Sequence, residues 1–122
     1  MLAREQRLRK SADIARVYKL GRFGNSGELQ VKALLRKQTT TRVAVVVSKK
    51  VSKKAVVRNR IRRRLTANLA ARWQTLAAGY DIVVSVRSDV SELPSPELSR
   101  KLDQCLTRCG VQGTGMASKI RK

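Results

Sequence analysis

The sequence predicts an α/β chain of the α+β type, a two-layer domain with helices packed on a mixed sheet. Three observations carry this. Val57, Ile61, Leu65, Leu69 and Trp73 recur every fourth residue, one stripe of an amphipathic helix. Leu29 to Arg36 alternates apolar and polar residues, the period of a half-buried strand. Arg42 to Val47 and Tyr80 to Arg87 are short, β-branched, nearly continuous apolar runs suited to central strands.

In chain order, Ser11 is placed to cap a first helix with Asp13 in its opening turn, where the positive helix end favours an acid. Ile14, Val17, Tyr18 and Leu20 supply its apolar face, and Gly21 ends it. Arg22 to Gly27, with three of the chain's glycines in or beside it, reads as a turn. The strand Leu29–Arg36, a polar loop at 37–41 and the strand Arg42–Val47 follow. Ser48 to Lys54 crosses over into a helix spanning about Lys53 to Leu76, which Gly79 stops before the strand Tyr80–Arg87. Ser95 as cap, Pro96 at the first helical position and Glu97 open the last helix, whose inner face is Leu98, Leu102, Cys105, Leu106 and Cys109. The order reads αββαβα directly, or αβββαβα if the region before Leu29 adds a short strand. One domain is expected over residues 1–110, with a basic tail over 111–122 that has little to pack.

Charge is the chain's most uneven property. Its 122 residues carry 28 Lys or Arg against 8 Asp or Glu, a net +20, divided as +4 over residues 1–28, +14 over 29–80 and +2 over 81–122. No acid occurs between Leu29 and Tyr80. Ser48 to Leu65, SKKVSKKAVVRNRIRRRL, holds nine cations. At about 100° per residue, Asn59, Arg60, Arg62, Arg63 and Thr66 point away from the apolar stripe, and Arg58 and Arg64 flank it. A helix serving only solubility mixes signs, because like charges one turn apart repel. A face of guanidinium forks suits phosphates, so the partner expected is a nucleic acid, contacted at its backbone more than its bases.

Other chemistry is poorly supplied. The chain has no histidine, its acids lie outside the basic block, and Cys105 and Cys109 fall on the inner face of a helix as small hydrophobes. It shows neither an apolar signal segment nor a run of about 18 apolar residues, so a cytoplasmic location without membrane contact is expected.

The run SKKVSKKAVVRNRIRRRL closely resembles the signature of the bacterial ribonuclease P protein component, in which a strand ends in Ser-Lys-Lys and a helix opens on Arg-Asn-Arg. LRKSADIARVYKLGR before it and GYDIVVSVR after it extend the likeness over most of residues 4–109. The resemblance implies an αβββαβα fold with a left-handed β-helix-β crossover, where the general rule alone would choose a right-handed one. It also implies a function: assisting a catalytic RNA, with Mg²⁺ held mainly by that RNA, in hydrolysing the bond between the 5′ leader and mature tRNA. Its partners would be ribonuclease P RNA and precursor tRNA, with no obligate protein partner.

By the same resemblance, Lys49, Lys50, Lys53, Arg58, Asn59, Arg60, Arg62 and Arg63 would contact the RNA subunit. Ile14, Val17, Tyr18, Leu29, Val31, Lys32 and Arg42 would form a cleft for the single-stranded leader. Positions commonly aromatic in the family appear here as Ile14 and Lys32, leaving Tyr18 as the clear ring, so leader binding is expected to lean on charge more than on stacking. A small ribosomal RNA-binding protein is the competing reading of the composition.

Overall fold

The computed structural model describes residues 2, 4–36 and 40–111. The elements are α1 (Ser11–Leu20), β1 (Arg22–Ser26), β2 (Leu29–Leu35), β3 (Arg42–Val47), α2 (Ala55–Ala71), β4 (Tyr80–Val86) and α3 (Ser95–Arg108). Short 3-10 turns lie at Arg4–Gln6 and Trp73–Thr75. This is the longer of the two expected orders, αβββαβα, in a mixed sheet of strand order β1-β2-β4-β3.

The additional strand corrects the reading of Arg22 to Gly27 as a turn. Only Gly27, at φ +56°, belongs to a turn, and Arg22–Ser26 pairs antiparallel with β2. Gly24 lies in that strand because α3 crosses it closely: a Cβ there would stand 2.5 Å from the Cys105 carbonyl oxygen.

β2 and β4 are antiparallel, whereas β3 and β4 are parallel, so the chain must cross over between them, and α2 is that crossover. Alternation sorts the strand residues onto two faces. On one face Leu29, Val31, Ala33, Val43, Ile82 and Val84 pack against Ile61, Leu65 and Leu69 of α2 and Leu98, Leu102 and Leu106 of α3. On the other, Val83 meets Leu8 and Val17, with Ile14, Leu34, Ala44 and Val46 around them. α1 therefore lies across the face opposite the main core, a partial third layer over the expected two. β4 is sandwiched between both clusters, which accounts for its unbroken apolar run.

Several boundaries differ from expectation. α2 begins at Ala55, since Lys54 is extended, and ends at Ala71; Arg72 leaves helical geometry, and its guanidinium reaches across to Asp103 Oδ1 (2.9 Å) and Ser99 Oγ (2.6 Å) on α3. Ser11 and Ser95 are first helical residues rather than caps; Lys10 and Pro94 precede them without side-chain capping bonds. Val111, the first residue of the expected tail, is buried, donating to the Leu106 carbonyl and accepting from the Ala77 amide. Residues 112–122, and 37–39 of the expected loop, lie outside the described residues. No helix among the described residues is long and apolar enough to cross a membrane.

Candidate nucleic-acid interface

The stripe Val57, Ile61, Leu65 and Leu69 turns inward, the last three fully buried, and this fixes what the rest of α2 presents. Asn59, Arg62, Arg63 and Thr66, spaced i, i+3, i+4, i+7, form one wall of a groove of about 520 Å³. The opposite wall comes from Arg7, Leu8, Arg9 and Ile14, and β3 residues Val43 to Val46 make the floor. β3 is an edge strand. Among the described residues only Arg7 pairs with its outer side, opposite Val43, where the Leu8 amide donates to the Val43 carbonyl at 2.9 Å. The groove is thus apolar below and cationic on both sides, a shape suited to a single strand with phosphates at the walls.

The lead-in to α2 is a turn held by two serine side chains: Ser48 Oγ accepts from the Lys50 amide and Ser52 Oγ from the Lys54 amide. Lys49, Lys50 and Lys53 are exposed on it. Arg58 donates to the Ser52 carbonyl at 2.9 Å, tying helix to turn. Arg62 donates to Asn59 Oδ1, which orients both groove-side groups. The other flank of α2 has a different use. Arg60 lies 3.6 Å from exposed Glu92, and Arg64 donates to the carbonyls of Val90, Ser91 and Leu93, gathering the loop before α3 onto the helix. The eight residues assigned by resemblance to the RNA subunit therefore share one end of α2 and its approach.

The residues expected for the leader cleft divide. Ile14 lines the groove, and Tyr18 and Lys32 sit together farther along the same sheet face. The Lys32 ammonium stands 5.3 Å from the Tyr18 ring centroid and donates to the Tyr18 carbonyl at 3.0 Å, while the Tyr18 hydroxyl bonds Ser85 Oγ at 2.8 Å. Val17 is on this face but fully buried. Leu29 and Val31 are corrected outright: strand alternation turns them to the opposite face, where they are 0% exposed beneath α2 and α3. Arg42 is also reassigned. Its Nε and Nη2 grip buried Asp81 at 2.9 and 2.8 Å, and the carboxylate raises the guanidinium pKa above its ordinary value.

Sequence reasoning missed three features. Asp81 was legible as the one acid inside an apolar strand run, which signals a buried ion pair. Phe23, placed in a turn, is 58% exposed and pairs directly across from Lys32. Arg7 and Arg9 enter the groove wall only because the N-terminal segment adds to β3.

Among the described residues no three His, Cys, Asp or Glu side chains converge to hold a metal ion. Burial pushes both thiols up to about 11, keeping Cys105 and Cys109 protonated and unreactive near neutrality.

A family model described as Ribonuclease P matches residues 2–110. Ribonuclease P protein components of a Pseudanabaena species (40% identical) and a Cyanothece species (33%) each align over 91% of this chain and 97% of their own. Among solved structures, the Staphylococcus aureus RNase P protein superposes with a TM-score of 0.79 at 27% identity, covering 88% of this chain and 98% of that one. The Thermotoga maritima protein gives 0.71 at 25%, covering 79% and 90%.

Proposed function

The chain belongs to the ribonuclease P family as the protein component of the enzyme that processes tRNA 5′ ends, and we propose that it works by holding two RNAs on adjoining surfaces. The first is the RNA subunit, which supplies catalysis, at one end of α2 and its approach: Lys49, Lys50, Lys53, Arg58, Asn59, Arg60, Arg62 and Arg63, of which Asn59, Arg62 and Arg63 also wall the groove. The second is the 5′ leader of precursor tRNA, in the groove between α2 and the Ile14 side and onward past Lys32 and Tyr18. The observation that carries this reading is the groove itself, an apolar floor along an open strand edge between two cationic walls.

Such a surface acts through counterion release and screening. Each phosphate neutralised lowers the slope of log affinity against log salt by roughly 0.7 to 0.9. Cations brought against crowded RNA phosphates lessen repulsion that Mg²⁺ would otherwise offset, so the Mg²⁺ bound by the RNA is needed at lower concentration when the protein is present. Removal of the leader is hydrolysis of one phosphodiester, for which this chain provides binding and orientation.

The test is multiple-turnover cleavage of a 5′-extended precursor tRNA by a matched ribonuclease P RNA at near-physiological Mg²⁺, with wild type and with Arg62→Ala/Arg63→Ala. Strong stimulation by wild type that the variant loses supports the reading. Absence of stimulation by wild type would return the protein to a general RNA-binding role such as that of a ribosomal protein.

A further inference from the structure

Four charged side chains from three elements and one adjoining residue meet at one end of the groove. Asp81 of β4 is wholly buried, and Asp13 of α1 is 15% exposed. Between them lie Arg42, which opens β3, and Arg36, just beyond β2. Arg36 Nη1 reaches Asp81 Oδ2 at 3.0 Å and Asp13 Oδ1 at 3.4 Å; Arg42 Nη2 reaches the same carboxylates at 2.8 and 3.5 Å. Two carboxylates and two guanidiniums interlock, and Asp13 is the member through which α1 joins.

This matters because apolar burial holds α1 only lightly. Val17 is its one buried residue. Beside it Ile14 packs, partly buried, against the same small cluster, and the polar attachments lie at the two ends of the helix: Asp13 in the first turn, and Tyr18, bonded to Ser85 and accepting from Lys32, in the last. The residues next in sequence to the network line the groove, Ile14 in the wall after Asp13 and Val43 in the floor after Arg42. The distance between α1 and β3 at this end is therefore the span of the ion pairs.

We propose that Asp13 is a positioning residue for single-strand binding: by bridging Arg36 and Arg42 it fixes α1 against the sheet and sets the width of the groove. The inference rests on the reading of that groove as the path of the leader. It reverses the sign that charge alone predicts. Asp13→Asn takes the net charge from +20 to +21, and simple electrostatics would then tighten binding to any RNA. A positioning role predicts weaker binding, and only where the groove is occupied.

The experiment uses the enzyme reconstituted with its RNA subunit and compares affinities for leader-bearing precursor and mature tRNA. Wild type should prefer the leader-bearing substrate; if it does not, the assignment of the groove fails, irrespective of Asp13. Given that preference, Asp13→Asn should reduce it about fivefold, leave mature tRNA affinity unchanged, and be rescued largely by Asp13→Glu. An unchanged preference, or tighter binding of both RNAs, would overturn the positioning role. So would an equal loss for both substrates with a lowered melting temperature, which would mark Asp13 as merely structural.

Discussion

Arg63 and Arg64 are neighbours in a run of like residues, yet the structure assigns them opposite roles, and this separates by mutation. Arg63 faces the groove, and Arg64 turns to the other flank, where it serves the carbonyls of Val90, Ser91 and Leu93. Hydrogen bonds from a charged donor contribute about 1.5–3 kcal/mol each at most. The carbonyls are backbone of a partly exposed loop and regain water when the donor is lost, so the total is well below three times that. Arg64→Ala should destabilise the fold by about 2 kcal/mol, which for a domain of this size lowers Tm by about 8 °C. Arg63→Ala should leave Tm within about 2 °C and flatten the salt dependence of RNA binding by one phosphate, roughly 0.7 to 0.9 in slope.

Thermal melts followed by Trp73 fluorescence, together with RNA titrations at several salt concentrations, read both quantities. Below its melting temperature Arg64→Ala should keep the wild-type slope. If it melts like wild type and loses slope instead, Arg64 is a phosphate ligand, and the division of α2 into a groove flank and a loop flank is wrong.

Three further outcomes follow from particular contacts. Lys32→Ala should weaken leader affinity more than Tyr18→Ala, because the ammonium already covers the Tyr18 ring; competition binding with leader-bearing precursor decides, and the reverse order would restore stacking as the main contribution. Gly24→Ala should cost about 1–3 kcal/mol in denaturant unfolding, since its Cβ would meet the Cys105 carbonyl at 2.5 Å and Arg108 Cβ at 2.7 Å. Because burial raises the Cys105 and Cys109 pKa from 9.0 to about 11, the folded chain retains protons that the unfolded chain releases. Their contribution is therefore full below about pH 9 and falls as pH rises from 9 to 11, a decline that Cys105→Ala/Cys109→Ala should reduce in pH-dependent unfolding.

Legibility in the sequence followed the length scale of each signal. The stripe Val57–Ile61–Leu65–Leu69 and the inner face of α3 were readable because helical periodicity is local and repeated. Leu29 and Val31 were misassigned for the complementary reason. Alternation shows that they share a face but not which face, since that depends on where α1, α2 and α3 dock. β1 was hidden because Gly24 is a turn residue by propensity and a strand residue by packing, the second visible only once α3 lies over it. The tie of Arg42 to Asp81 was not legible, because the two are distant in sequence and adjacent only through the parallel β3–β4 register. In each miss a local propensity was overruled by a contact between residues far apart in the chain.

The distribution of acids explains why one surface stays so positive. Asp81 and Asp13 engage Arg36 and Arg42, Asp103 engages Arg72, and Glu28 lies 3.2 Å from Lys101. These pairs fasten sheet to α1 and α3 to its neighbours, and none of them draws on Arg62 or Arg63, the groove-side cations of α2. Near α2, exposed Glu92 reaches only Arg60, on the flank facing away from β3. The groove-side cations repel one another along the helix, so α2 must be held from within, by Ile61, Leu65 and Leu69, each contributing about 1.5–3 kcal/mol on full burial. A helix anchored by aliphatic packing inside and left without counter-charge on its groove side is at its lowest free energy when a polyanion occupies that side. The groove-side cations Arg62 and Arg63 are thus ones that the ion pairs among the described residues leave out, and this selection, more than the abundance of arginine, distinguishes the groove from a merely basic surface.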